Sequence, residues 1–323
     1  MTLTQSLLAM GGGVVLLIAG AEGLVRGASA LALRIGITPL VVGLTVVALG
    51  TSSPELMVSV QAALAGQGGV ALGNVVGSNV ANLGLIVGLA TLLSPIVVDR
   101  TLVRVDVPVM LFGMLALVLT LVDGELVRWE GGLLATGAVV YTVGKIRASR
   151  KEVRAERSAL SPEVRDALAE ASVGFKRHLL LVVGGIALLV YGSELLLSGA
   201  IAAAESLGVS EAVVGLTLVA LGTSLPELAT TAVAARRGQA EIALGNAVGS
   251  NIFNVFAVLG PAALAAPMQA SGVGVDTLAL MGAFGLVTLF FLVSGGRTQR
   301  WEGAVLLSGY AGYIWWVVTS SPA

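Results

Sequence analysis

Gly50-Thr51-Ser52-Ser53-Pro54-Glu55 interrupts an apolar run that extends from Ile37 to Ala65. A carboxylate inside a run of that kind is costly where the run crosses a bilayer, and by default it marks a functional site. Pro54 has no N–H for the helix ladder and clashes with the turn before it. Gly50, Thr51 and Ser52 put a flexible point and two hydroxyls just ahead of that break. A broken helix that carries a glutamate and hydroxyls at membrane depth is a way to build an ion site. The same device recurs 172 positions later, as Gly222-Thr223-Ser224-Leu225-Pro226-Glu227, in a second apolar run.

Working outward from these two segments, the composition sets the class. Of the 323 residues, 56% are hydrophobic and only 11% are charged, against about 25% charged in soluble domains. The expected fold is therefore all-α, a polytopic membrane protein. The 43 glycines suit close helix packing. The absence of cysteine rules out disulfides, thiol chemistry and cysteine-bound metals. The first residues lack a basic n-region and a cleavage site, so 3–33 reads as a retained helix.

Apolar runs long enough to span predict ten helices, at 3–33, 37–65, 70–93, 101–121, 127–147, 176–206, 210–235, 241–264, 272–294 and 299–319. The one long hydrophilic stretch is 148–175, in which five Arg or Lys alternate with five acidic residues. It reads as a solvated, partly helical linker. Placing it in the cytoplasm puts Arg34, Arg100, Arg104, Arg236, Arg237, Arg297 and Arg300 on the same side, and leaves only Arg128 in the external turns. Both termini are then external.

The internal repeat is strong. Val41–Leu56 and Val213–Leu228 agree at 14 of 16 positions. At the same offset, Gly73-Asn74-Val75-Val76-Gly77-Ser78-Asn79 lies over Gly245-Asn246-Ala247-Val248-Gly249-Ser250-Asn251, Arg128–Gly131 over Arg300–Gly303, and Glu22 over Glu194. The expected organisation is a first half at 1–147, the linker at 148–175 and a second half at 176–323, with the repeated cores at 37–93 and 210–264. Five helices per half is an odd number, so the halves insert with opposite topology, as inverted repeats.

Each half brings two polar segments together. One carries the glutamate. The other runs from the GN pair to Asn82 or Asn254, four residues beyond Ser78 or Ser250 and thus on the same helical face. Asn74 and Asn246 read as caps of their helices. The resulting inventory is Glu55, Glu227, the hydroxyls of Thr51, Ser52, Ser78, Thr223, Ser224 and Ser250, and the amides of Asn82 and Asn254. All are hard oxygen ligands of the type that suits Ca2+. Two carboxylates balance one divalent charge, and left empty they would repel each other. A site that has to be filled before it reorients favours exchange over uniport.

These paired segments resemble the α-repeats of the cation/calcium exchanger superfamily, in particular its prokaryotic sodium/calcium exchangers, over nearly the whole chain. The resemblance implies that Glu55 and Glu227 bind both Ca2+ and Na+, with the Thr51 and Thr223 carbonyls completing the calcium site. It implies sodium positions built from the Ala48 carbonyl, Thr51, Ser52, Glu55 and Ser250, and from the Ala220 carbonyl, Thr223, Ser224, Glu227 and Ser78. Asn82 and Asn254 would line the middle, and the first and sixth helices would slide across the other eight. The potassium-dependent branch carries Asp at the position of Asn254; Asn there leaves the site at −2 and predicts K+ independence. The proton-coupled branch has an acidic residue in its GN segment, whereas Ser78 and Ser250 here favour Na+ coupling.

The expected function is Na+/Ca2+ antiport in the prokaryotic inner membrane by a monomeric unit. The partners are then the two ions and the lipid bilayer, with no cofactor and no nucleic acid. Ca2+/H+ exchange is the alternative in the same class. An intramembrane hydrolase would need a base beside its serine, and the one histidine, His178, falls near a helix end. A passive channel would need weaker binding than two carboxylates give. Asp99 and Asp106 read as solvated turn residues and Trp129 and Trp301 as interfacial anchors. Glu22 can pair with Arg26 four residues on, but Ser198 matches Arg26 beside Glu194, so pairing does not explain both glutamates and their role stays open between gate-helix and packing.

Overall fold

The computed structural model describes residues 2–158, 175–206 and 220–320. Its helices are α1 (Leu3–Ile35), α2 in two pieces (Pro39–Thr51 and Ser53–Leu64), α3 (Gly68–Leu93), α4 (Leu102–Thr120), α5 (Arg128–Ser158), α6 (Phe175–Ser206), α7 (Ala220–Gly222, then Leu225–Arg236), α8 (Ala240–Ala265), α9 (Val275–Ser294) and α10 (Arg300–Ser320). Six of these are long and apolar enough to cross a membrane, and the two pieces of α2 make a seventh candidate if taken as one bent span. This is a multi-pass, all-α membrane protein. Of the expected span 210–235, positions 210–219 lie outside the described residues.

Local chemistry explains the helix ends. Thr2 and Gln5 form a reciprocal capping box at the start of α1, and Gly36, at φ 70°, ends it in the left-handed region. Thr38 caps the start of α2, with Pro39 at the first helical position. The backbone N–H of Thr38 also donates to Ser149 Oγ at 2.8 Å. That bond is possible because α5 continues as helix through Ser158, well past the apolar stretch that ends at 147.

α1 and α6 pack antiparallel along a glycine seam. A Cβ added at Gly13, Gly20 or Gly27 would lie 2.6–2.8 Å from the backbone of α6. One added at Gly185 or Gly199 would meet the α1 backbone at 2.6–2.7 Å, and one at Gly192 would come within 2.9 Å of Leu16. The seven-residue spacing keeps these glycines on one helix face, and their absence of side chains sets the close approach.

The turns also pair across the two halves. Glu125 and Leu126 form a two-residue strand antiparallel to Met268 and Gln269, and Val97 bridges Arg297. Moved by 172 positions, the Val97–Arg297 pair falls on Gln269 and Glu125. The close contacts of Gly131 with Gly260 and Ala263 map in the same way onto those of Gly303 with Gly88 and Thr91.

One expectation fails. Asp106 is not a solvated turn residue: it is fully buried, 2.9 Å from Lys145 Nζ and 2.9 Å from the Tyr141 hydroxyl. A π-helical turn at Leu102–Asp106 leads into it, and α5 supplies both partners. A buried carboxylate needs such partners to remain charged. Asp99, by contrast, accepts from the backbone N–H of Thr101 and Leu102 at the turn, as a short polar residue at a helix start does.

Candidate functional site

The site is built where the two breaks meet α3 and α8. In α2 the axis turns by 46° between Thr51 and Ser53. Pro54 sits at the start of the second piece and Glu55 in its first turn. In α7, Pro226 and Glu227 occupy the same places. A proline is tolerated at the beginning of a helix, where its missing N–H would have no partner anyway, so each break restarts a helix with a glutamate in its first turn.

The structure brings the expected side chains into one buried cluster. Glu55 and Glu227 are each 1% exposed, and Thr51, Ser52, Ser78, Asn82, Thr223, Ser224, Ser250 and Asn254 are buried as well. Ala48 is buried, its carbonyl within 3.3 Å of Thr51 Oγ1. Ala220 opens the described part of α7 as its first helical residue. The halves interlock. Ser52 Oγ donates to Glu227 Oε1 at 2.9 Å, and Ser224 Oγ reaches Glu55 Oε1 at 3.5 Å.

Each carboxylate thus has one oxygen held by the opposite half. The other oxygen, Glu55 Oε2 or Glu227 Oε2, is buried without a partner, and so are Ser78 Oγ, Ser250 Oγ, Asn82 Oδ1 and Asn254 Oδ1. Buried polar atoms in folded proteins are nearly always satisfied. One free oxygen on each carboxylate, with four unpartnered hydroxyl and amide oxygens, makes a donor set that could hold a cation. Among the described residues no three His, Cys, Asp or Glu side chains converge, so neutral oxygens would have to complete any shell.

Both α3 and α8 switch to π-helical geometry at the asparagine of the cluster, over Asn82–Val87 and Asn254–Leu259. A π-turn shifts the side-chain register and leaves backbone groups differently aimed, which is why such turns gather at functional sites. Nothing in the residue pattern announces them.

Two groups were misread or missed by the sequence reading. Asn74 and Asn246 are not helix caps. They lie inside helices that begin at Gly68 and Ala240, and their amides bridge other elements. Asn246 Nδ2 donates to the Glu227 carbonyl and to Thr231 Oγ1, and its Oδ1 accepts from Thr51. Asn74 repeats this with the Glu55 carbonyl, Ser59 and Thr223. Asn79 is the missed residue: its Oδ1 accepts from Asn254 Nδ2 at 3.1 Å, which turns the Asn254 carbonyl oxygen to the unpartnered side. Its place in the repeated GSN triplet was the available signal.

Away from the cluster, Glu22 pairs with Arg26 at 2.6 Å, as spacing suggests, and also with Arg237 at the end of α7. Trp129 and Trp301 are exposed, at 67% and 54%.

With this geometry in place, comparison with known proteins gives a consistent answer. The family model described as sodium/calcium exchanger protein matches residues 5–147 and again 177–319. The sodium/calcium exchanger MaX1 of Methanosarcina acetivorans is 35% identical over 335 residues, covering 94% of this chain and 95% of that one. The inner membrane protein YrbG of Escherichia coli is 36% identical over 313 residues, covering 94% and 93%. Among solved structures, the sodium-calcium exchanger NCX_Mj soaked with Na+ and Sr2+ superposes with a TM-score of 0.83 at 28% identity over 100% of both chains.

Proposed function

The chain belongs to the sodium/calcium exchanger family, and from that premise we propose that it is a Na+/Ca2+ antiporter working by alternating access, with no chemistry of its own to catalyse. The observation that carries this reading is the buried cluster of two glutamates, each tethered by a hydroxyl of the other half and each left with one unpartnered oxygen. Glu55 and Glu227 would bind both ions. Thr51, Ser52, Ser250 and the Ala48 carbonyl would serve one sodium position, and Thr223, Ser224, Ser78 and the Ala220 carbonyl its mirror. Asn82 and Asn254 would line the centre.

The architecture behind this is two inverted five-helix halves, 1–147 and 176–323, with the segment 148–175 and the basic turns in the cytoplasm and both termini outside. Three features support it: the family match repeats at an offset of 172, the turn pairs map onto each other at the same offset, and α1 runs antiparallel to its counterpart α6. The glycine seam lets these two helices act as one sliding unit over the rest.

The charge of the site sets the cycle. With Ca2+ between two glutamates it is neutral; with three Na+ in its place, the load that the family resemblance implies, it carries +1. One turn of the exchange then moves one net positive charge, so membrane potential drives it, at about 2.3 kcal/mol per charge per 100 mV. Asn254 withholds the further charge that a K+ position would need. The test is Na+-driven 45Ca2+ uptake in vesicles clamped at different potentials, with K+ or an inert cation present and the pH fixed. Orientation is read in the same vesicles from single cysteines at Ser158 and Ser320, expected to label from inside and outside respectively. Uptake should follow the Na+ gradient and the potential without K+. Uptake that follows only a pH gradient would establish Ca2+/H+ exchange instead.

A further inference from the structure

We propose that Asn246 and Asn74 are positioning residues that set the sodium affinity of the site, each by fixing the hydroxyl proton of a threonine in the opposite half. The inference rests on the exchange reading above and concerns residues outside that set of unpartnered oxygens.

The argument begins with the orientation of the Asn246 amide. The Glu227 carbonyl, 3.3 Å away, can only accept a hydrogen bond, so the atom facing it has to be the NH2 group. That fixes Oδ1 on the other side, where Thr51 Oγ1 lies at 3.1 Å. Oδ1 can only accept, so the threonine hydroxyl donates. Asn246 is fully buried, and its amide is fully used: Thr231 Oγ1, at 2.9 Å, takes the remaining N–H.

A hydroxyl that ligates a cation has to offer a lone pair, so its proton needs another acceptor. Thr51 has two within reach, the Ala48 carbonyl at 3.3 Å and Asn246 Oδ1 at 3.1 Å. Threonine in a helix ordinarily bonds back to a carbonyl one turn earlier. Here that would cover the Ala48 carbonyl, itself one of the oxygens assigned to sodium. Asn246 draws the proton away and thereby keeps two oxygens available, the Thr51 hydroxyl and the Ala48 carbonyl. The same amide holds the backbone of Glu227, so both halves are brought to register at one residue. Asn74 makes the mirrored set: the Glu55 carbonyl at 3.3 Å, Ser59 Oγ at 3.0 Å and Thr223 Oγ1 at 3.4 Å. Its longer threonine contact predicts the smaller effect.

Sodium leans on hydroxyls and single carbonyls, whereas calcium at the centre leans on the two carboxylates, so the two ions should separate. In Asn246→Ala, the Na+ concentration giving half-maximal exchange should rise about tenfold, with half-saturating Ca2+ changed by less than about twofold. Thr51→Val, which removes the hydroxyl, should give the same Na+ shift. Asn246→Ala added to Thr51→Val should change Na+ no further, since the proton that Asn246 manages is already gone.

Purified protein gives a reading independent of transport: the Na+ concentration that yields half the thermal stabilisation should move by the same factors. A merely structural role would weaken both ions alike and multiply with Thr51→Val; either result overturns the proposal. Should Asn246→Ala fail to fold, Asn74→Ala with Thr223→Val carries the same comparison, with about a threefold shift expected. Wild-type protein that shows neither Na+ stabilisation nor Na+-driven uptake would sink the exchange reading and this inference with it. Na+ binding in the wild type, with equal shifts for both ions in the variants, would sink the inference alone.

Discussion

The two halves carry nearly the same polar device yet hold it with different tightness. Around Glu227, Ser52 donates at 2.9 Å, and Asn246 accepts from Thr51 at 3.1 Å and donates to Thr231 at 2.9 Å. Around Glu55 the corresponding contacts are 3.5 Å from Ser224, 3.4 Å from Thr223 and 3.0 Å to Ser59. The difference continues within α1. Glu22 is clasped by Arg26 and Arg237, whereas its counterpart Glu194 is exposed and, among the described residues, makes no ion pair. The positions matching Arg26 and Arg237 are Ser198 and Ala65, so no such clasp can form there. The repeat therefore supplies the polar side chains in duplicate, and its departures from symmetry lie in how tightly each half is held.

The largest effect expected is one that ignores the asymmetry. Glu55→Gln and Glu227→Gln each remove half of the −2 charge, and each should abolish Ca2+ exchange while leaving a folded protein. 45Ca2+ uptake into Na+-loaded vesicles is the measurement. Wild-type-like uptake in either variant would refute the assignment of the central site, and loss in only one would show that the halves are not functional equals.

A smaller effect should expose the asymmetry directly. Ser52→Ala removes a short hydrogen bond to a carboxylate, an interaction worth about 1.5–3 kcal/mol, so half-saturating Ca2+ should rise roughly tenfold or more. Ser224→Ala removes a contact at 3.5 Å and should cost only about two- to threefold, since hydrogen bonds at that distance are weak. Equal shifts in the two variants would mean that the unequal distances have no energetic weight.

Much of this was legible in the chain because membrane burial makes polar residues conspicuous. Glu55 and Glu227 stand out in apolar runs, and their duplication identifies the hydroxyls and Asn82 and Asn254 as company rather than accident. The unreadable parts depend on what another segment does. Asn74 looks like a cap when only its own helix is considered; its bridge to Thr223 requires the other half to be in place. Asp106 looks solvated beside Arg100 and Arg104 until α5 lays Lys145 and Tyr141, both within its apolar stretch, against it. The π-turns at Asn82 and Asn254 have no propensity signature, because a helix shifts register there to satisfy tertiary packing. The glycine seam was readable, since Gly13, Gly20 and Gly27 lie over Gly185, Gly192 and Gly199 at the repeat offset, but abundant glycine hid the seven-residue spacing.

The smallest effect concerns the clasp on α1. Glu22 and its two arginines are partly exposed, at 33%, 59% and 31% of their side chains, and exposed ion pairs are worth about 1 kcal/mol or less. Placed between the helix proposed to slide and the end of α7 that the proposed topology puts in the cytoplasm, even that energy would bias which side the site opens to. On the proposed topology the clasp holds α1 against the cytoplasmic end of α7, and it would then favour the state closed to the cytoplasm. Glu22→Gln should therefore raise the population open inward. An ion entering from a side that is rarely open has its apparent affinity reduced by that fraction. The variant should lower half-saturating Ca2+ on the cytoplasmic face by about two- to fivefold. The external value, set by the state already favoured, should barely change. Glu194→Gln should leave both faces as they were, because nothing there is clasped. Half-saturation measured separately on each face of oriented vesicles decides the matter. A Glu22→Gln variant that leaves both faces unchanged, or moves both in one direction, would reduce the clasp to a surface contact and leave the asymmetry of the halves to the hydroxyl distances alone.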